Sequence, residues 1–348
     1  MRPTTVLVCE AQVPFVSGGA EAHVRGLVAA LTARGYRAEK VSVPFKWYPK
    51  EELLASAAAW RMIDLSESNG RRIDRVIATK FPTYFVRHPH KVTWLFHQYR
   101  AIYDLIGTPY SEFEHTEADV RLRDRLIALD NEVLGESKAL FTNARNTAAR
   151  LERYNGLRAE PLYHPPPLAG RLTFGEYGDY VLSVGRLEAN KRVDLVIAAL
   201  AQADRRIRLV VAGDGPLRPS LEAQAAAAGV ADRVTFTGAI GDHELATLYS
   251  GALAVIFPPF DEDYGYVTLE AFLARKPVVT TRDAGGPLEF VEDGVSGLVA
   301  EPTAESLGGA IARLYADTRR ARALGEAGFE RVHDISWDHV VDRLMAEN

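Results

Sequence analysis

The chain is 348 residues long, enough for about two domains at roughly 150 residues each. Apolar residues make up 47% and charged residues 25%, values that exclude disorder and fibrous repeats. The 41 Lys and Arg against 46 Asp and Glu leave −5, which argues against general nucleic-acid binding; the single cysteine, Cys9, excludes intramolecular disulfides and thiolate-rich metal sites.

The opening MRPTTVLVCEAQ is too polar for a secretory leader and reads as a cytoplasmic start, in keeping with a reducing compartment. Thr5 to Cys9 reads as a strand, Ser17, Gly18 and Gly19 as a loop, and AEAHVRGLVAALTARG as a helix closed by Gly35. Strands follow at AEKVSV, RVIATK, KVTWLF and KALFTN, with helices around Glu51 to Asn69, Glu112 to Leu134 and Asn143 to Tyr154. That alternation predicts a parallel sheet covered on both faces. The proline- and glycine-rich AEPLYHPPPLAGRLTFGEYG reads as an interdomain linker. A second α/β half then repeats the opening theme with strands DYVLSV, RLVVAG, RVTFTG, LAVIFP, KPVVTT and SGLVAE. The longest apolar run, near Ala252 to Phe257, stops at Pro258 and Pro259, well short of the roughly 18 residues that span a bilayer.

Ligands of such sheets bind at the carboxyl ends of strands, so the loops there are the candidates. Ser17 to Glu21 leads into the first helix, where amide groups and the helix dipole favour a phosphate or a sugar; a simple tight turn explains the glycines equally well. In Gly185 to Arg192, cations stand just ahead of a helix, where they oppose its dipole; Arg186 and Lys191 make better sense as a clamp for a pyrophosphate. Ala212 to Pro216 reads as a strand-to-helix turn.

The most informative stretch is FPPFDEDYGYVTLEAFLARKPVVTT, with Glu262 and Glu270 eight residues apart. A helix starting near Tyr264 would turn the amides of Gly265, Tyr266 and Val267 toward a phosphate, with Glu262 beside it to accept from sugar hydroxyls and Glu270 to accept from a ribose. Asp261, Glu262 and Asp263 also have the composition of a magnesium or manganese cluster, a reading discounted because Arg186 and Lys191 can neutralise a pyrophosphate themselves. His97 closes a strand with Arg100 behind it and suits a hydrogen bond to a sugar hydroxyl. The remaining histidines, among them His88, His90, His115 and His164, show no ligand-like spacing, and Arg121, Arg123 and Arg125 read as a solvated helix face.

Taken together, GGAE, GR followed by KR, GDGP, the Glu262–Glu270 element and the downstream KPVV, GGPLEFV and DGVSGLV resemble the GT4-type retaining glycosyltransferases (glycosyl transferases group 1) over nearly the whole chain. The resemblance implies a GT-B fold: two Rossmann-like α/β domains facing an interdomain cleft, here 1–167 for the acceptor and 168–334 for a nucleotide-sugar, with a C-terminal helix, 335–348, crossing back to the first. It also implies that Arg186 and Lys191 bind the donor diphosphate and that Glu270 binds the nucleotide ribose. Glu262 would hold donor-sugar hydroxyls, the Gly18–Gly19 loop would approach the donor, and His97 would touch the donor sugar near the reacting carbon. No cofactor or bound metal is implied. Tyr264 and Tyr266 depart from the family, which more often has Phe and an aliphatic residue there.

The expected reaction moves a glycosyl group from a nucleoside diphosphate sugar to an acceptor hydroxyl with retention, with the domains closing about 164–175 to exclude water. A nucleotide-sugar 2-epimerase of the same fold, or a non-catalytic sugar-nucleotide binder, are the alternatives. PFKWYP, ATKFP and HQYRAIYD suit a sugar or an anionic lipid-linked acceptor, and equally suit packing and a solvated rim. Envelope polysaccharide synthesis at the inner membrane face is the expected setting.

Overall fold

The computed structural model describes residues 4–15 and 18–346. The chain separates into two compact units: the first runs to His164 and resumes at Ser336, and the second is Pro165–Ile335.

The first unit begins with strand β1 (Thr5–Gln12), helix α1 (Gly19–Ala33) and strand β2 (Arg37–Pro44). β1 outruns the expected strand by three residues, and alternation explains how it is buried on both sides. Val6 and Val8 enter one apolar cluster with Leu27 and Leu31, while Leu7 and Cys9 meet the other, which holds Trp60, Tyr84 and Leu126. Helix α2 (Glu52–Met62) ends well before Asn69. The cause is a hairpin of β3 (Glu67–Ser68) and β4 (Arg71–Arg72), in which Asn69 and Gly70 both take positive φ, the two-residue turn that Asn-Gly favours. β5 (Arg75–Ala78) and β6 (Lys91–Leu95) follow. Helix α3 (Glu117–Gly135) starts five residues later than expected, because Thr116 caps it by accepting from the Asp119 amide.

β7 (Ala139–Thr142), α4 (Arg145–Asn155) and β8 (Glu160–Pro161) complete the sheet, whose order is β2-β1-β5-β6-β7-β8, parallel throughout. β8 and the buried Leu162 and His164 correct the reading of 159–164 as linker: this stretch is the sixth strand and part of the core. His164 meets the buried His23 ring at 3.1 Å, a contact across 141 residues that no local spacing announces.

The second unit runs β9 (Tyr180–Val184), α5 (Val193–Gln202), β10 (Arg208–Ala212), α6 (Arg218–Ala227), β11 (Val234–Gly238) and α7 (Asp242–Gly251), then β12 (Ala254–Ile256), α8 (Tyr266–Leu273), β13 (Val278–Thr281), β14 (Gly297–Ala300), α9 (Ala304–Ala316) and α10 (Thr318–Val332). Its parallel sheet has the order β11-β10-β9-β12-β13-β14, and its core joins Val181, Leu209 and Ile256 to Ile197, Leu200, Ile311 and Leu314. The stretch 174–178 is packed within this unit. The buried Lys276 ammonium donates to Gly175 O at 2.8 Å and lies 3.9 Å from the Tyr177 ring.

Helix α11 (Trp337–Met345) belongs to the first unit. Its Val340, Val341 and Leu344 close the cluster formed by Val6, Val8, Leu27 and Leu31, and Arg34, directly after α1, pairs with Asp338 and Asp342. Among the described residues, no helix is long and apolar enough to cross a membrane.

Candidate functional site

In the second sheet the strand order reverses between β9 and β12. Loops leaving such a pair diverge to opposite faces and open a crevice at the carboxyl ends of the strands. The loop after β9 carries Arg186 and Lys191, and the loop after β12 carries Glu262. Topology thus delivers both predicted segments to one place.

Main-chain hydrogen bonds hold them there. Phe260 N–H donates to Asn190 O (2.8 Å), Asp261 N–H to Asp283 O (2.8 Å), Glu262 N–H to Ala284 O (2.8 Å), and Gly286 N–H to Glu262 O (2.7 Å). The loop after β13 is therefore zipped to both sides of Glu262. Two glycines permit this closeness: a Cβ on Gly286 would stand 2.5 Å from Asp263 O, and one on Gly213 would stand 2.0 Å from Gly185 O. The GDGP turn is thus also the floor on which the Gly185–Lys191 loop rests, through Leu187 N–H to Asp214 O (3.0 Å) and Leu217 N–H to Leu187 O (3.1 Å).

On this frame Lys191 and Glu262 form an ion pair, each side chain about one-fifth exposed. Lys191 Nζ also lies 5.9 Å from the Phe257 ring centre. Arg192, which takes positive φ, grips Asp283 with two nitrogens (3.0 and 2.8 Å) and lies over Phe260. Burial pushes the Asp283 carboxyl up, but the paired Arg192 guanidinium outweighs it and helps hold the group below its ordinary value. Arg186 is half-exposed and pairs with Glu188 at 2.6 Å.

Helix α8 begins two residues later than expected. Gly265 is its cap, with φ 82°, and Tyr266 and Val267 open the first turn. Tyr264 is buried, packing edge-on against Tyr266 and Phe290, so the two tyrosines are part of the packing. Glu270, one turn in, is 6% exposed and accepts a 2.7 Å bond from the buried Tyr249 hydroxyl. Burial pushes its carboxyl up to about 7 despite that bond. Of the acidic triplet, Glu262 is drawn to Lys191, and among the described residues no three His, Cys, Asp or Glu side chains converge as a metal site.

In the first unit the strand order reverses between β1 and β5. Ser17 lies outside the described residues. Gly18 donates its N–H to Glu21 at 2.8 Å, so the start of α1, which includes Gly19, is capped by its own carboxylate, with Lys80 at 3.5 Å from the same group. His97 follows β6, half-buried, with Nδ1 2.7 Å from Gln98 O. A carbonyl only accepts, so Nδ1 carries the proton and Nε2 is the acceptor in the neutral ring.

Reading the sequence missed Arg192, Asp283, Gly286 and Tyr249. The Asp283–Gly286 loop was detectable, since two adjacent glycines in the loop after a strand mark a place where backbones meet. Tyr249 carried no local signal.

Residues 171–331 match the family model described as "Glycosyl transferases group 1". The chain is 30% identical over 294 residues to a D-inositol 3-phosphate glycosyltransferase of Frankia alni, covering 74% of this chain and 69% of that protein. It is 29% identical over 343 residues to the enzyme of that name from Segniliparus rotundus, covering 88% and 73%. Among solved structures, the sucrose-phosphate synthase of Thermosynechococcus elongatus superposes with a TM-score of 0.79 at 20% identity, covering 98% of this chain and 97% of that one, a likeness of fold. The two doubly wound sheets, the loops gathered at their reversal points and these relatives agree: the chain belongs to the group 1 glycosyl transferases and has their GT-B fold.

Proposed function

We propose that this glycosyltransferase takes its sugar from a nucleoside diphosphate donor bound by the second unit, transfers it with retention of configuration, and uses no protein-held metal. The observation that carries this reading is the Lys191–Glu262 pair at the β9–β12 reversal, with the N-terminus of α8 directly after it. A cation and a helix N-terminus stabilise the additional negative charge that develops as a diphosphate departs. Arg186, exposed and paired with the nearby Glu188, can swing to the same anion. Glu262, released from Lys191 when the diphosphate takes the ammonium, accepts from donor-sugar hydroxyls, and Glu270 accepts from the ribose.

In the reaction the bond from the anomeric carbon to the diphosphate oxygen breaks and the bond to the acceptor oxygen forms on the same face. The acceptor proton passes to the departing phosphate oxygen. The Gly18–Gly19 loop and His97, whose Nε2 accepts from a donor-sugar hydroxyl, are the first unit's contributions. Exposed Trp47 and Tyr48, with Lys46 5.0 Å from the Tyr48 ring, support an acceptor that is a sugar or lipid-linked. Cytoplasmic work at the inner membrane face in envelope glycoconjugate synthesis fits that chemistry.

The test is nucleoside diphosphate release from a panel of nucleotide-sugars, with and without acceptor and with chelator. Lys191→Ala should lower kcat/KM roughly 100- to 1,000-fold with an unchanged melting temperature. Near-normal turnover removes Lys191 from the site. Loss of activity in chelator ends the metal-free reading, and an inverted anomeric product ends the retaining one.

A further inference from the structure

A chain of polar side chains, buried at Gln98, Tyr103 and Asp130 and half-buried at Asn155, runs through the first unit without serving any role described above. Gln98 Nε2 donates to Asn155 Oδ1 (2.8 Å), Asn155 Nδ2 donates to Tyr103 Oη (3.1 Å), and Tyr103 Oη donates to Asp130 Oδ2 (2.7 Å). The other Asn155 N–H goes to Asn131 Oδ1 (2.6 Å), which uses both donors of that amide and fixes which way it faces. Gln98, Asn155 and Tyr103 thus each pass one donor along the chain toward Asp130, an acceptor when ionised and wholly buried in the middle of α3.

The arrangement is costly. Among the described residues, Gln98 Oε1 and Asp130 Oδ1 are buried without a hydrogen-bond partner, and the Tyr84 hydroxyl beside Asp130 also lacks good geometry. A half-satisfied polar network inside an apolar cluster is a poor way to gain stability, and apolar side chains of like volume would serve better. What the network does fix is residue 98, whose side chain is tied to α4 and whose backbone carbonyl is the acceptor for His97 Nδ1.

We propose that Asp130, Tyr103 and Asn155 are positioning residues that hold Gln98, and through its carbonyl set the tautomer and orientation of the His97 ring. The effect on turnover rests on the reading that His97 Nε2 meets the donor sugar. The effect on the ring does not.

Two measurements on the full-length protein test this. With nitrogen-15-labelled histidine, the wild type should show the Nδ1–H tautomer at His97, assigned by its loss in His97→Ala. Tyr103→Phe, which deletes one oxygen, should convert that signal to a mixture of tautomers; an unchanged signal overturns the proposal. In a double-mutant cycle, Tyr103→Phe should lower kcat about tenfold in the wild type, with donor KM within twofold, and less than twofold in His97→Ala. Equal losses in both backgrounds overturn the route through His97. If His97→Ala turns over normally, the donor contact of His97 is what fails, and the tautomer signal still decides the positioning role. Asp130→Asn, with the same shape and no charge, should reproduce the tautomer mixture should Tyr103→Phe fail to fold; a wild-type signal in Asp130→Asn then overturns the proposal.

Discussion

The two units solve the same problem with different materials. Both hold a six-stranded parallel sheet with an order reversal, and both present candidate ligand groups in loops at the carboxyl ends of the strands. In the second unit those loops are fastened by main chain to main chain: Asn190 to Phe260, Asp283 to Asp261, and Glu262 to Ala284 and Gly286. In the first, main-chain bonds such as Phe96 N–H to Thr79 O (2.7 Å) and Phe81 N–H to His97 O (3.4 Å) are supplemented by side-chain fastening, from Glu21 to Gly18 and from Gln98 through Asn155 and Tyr103 to Asp130. Main-chain fastening survives most changes of side chain, because any residue supplies the amide and carbonyl; side-chain fastening depends on the identity of every member.

The strongest way to break this contrast is Gly286→Val, which drives a side chain into Asp263 O. It should unzip the loops around Glu262 and weaken nucleoside diphosphate binding by at least about 100-fold, since a displacement near 1 Å costs that much. Binding by calorimetry that is unaffected would mean the backbone zipper is dispensable.

A second test exploits a parallel between the units. Each buries one carboxyl under a tyrosine hydroxyl: Asp130 under Tyr103 and Glu270 under Tyr249, both at 2.7 Å and both held at about 7. The ordinary values are 3.8 and 4.5, so between those and 7 the folded chain keeps protons that the unfolded chain has released. Stability therefore falls as pH rises through that window and is lowest above 7, by up to about 4 kcal/mol for Asp130 and about 3 kcal/mol for Glu270. Glu270→Gln and Asp130→Asn should each flatten part of this slope in urea titrations at pH 5 and 8. If neither does, the carboxyls are ionised throughout.

Ligand binding separates the pair. A ribose donating to Glu270 favours its ionised form, so nucleotide binding should tighten as pH rises through 7 and release up to one proton. Calorimetry in buffers of different ionisation heat measures this, and Asp130→Asn should leave it unchanged. The smallest effect is expected at Glu21→Gln, which keeps the shape of the α1 cap and loses its charge. The melting temperature should drop by the few degrees that about 1 kcal/mol brings, with nucleotide binding intact.

This contrast also explains what could be read in the sequence. Backbone-held loops need glycines at fixed places, so Gly185, Gly213, Gly265 and Gly286 leave a local trace, and the Arg186, Lys191, Glu262 and Glu270 pattern was found among them. The strands were legible because β-branched runs and alternation are local too. The Gln98, Tyr103, Asp130 and Asn155 chain was not, because each member is an ordinary polar residue up to 57 positions from its partner. The misread Glu51–Asn69 helix and the supposed linker at 159–164 failed for related reasons. Asn69-Gly70 was a turn signal passed over in favour of composition, and a two-residue edge strand at Glu160 is made by its neighbour β7 rather than by its own sequence.

Helix α11 gives the molecule an unusual order of assembly. The second unit is an insertion within the first, complete in sequence between Pro165 and Ile335, while the first lacks Val340, Val341 and Leu344 of its core until about 340 residues have left the ribosome. The half that is made first is finished last. Emerging chains should therefore carry a folded second unit while the first is still open, its apolar α1 face needing shielding until α11 has been made.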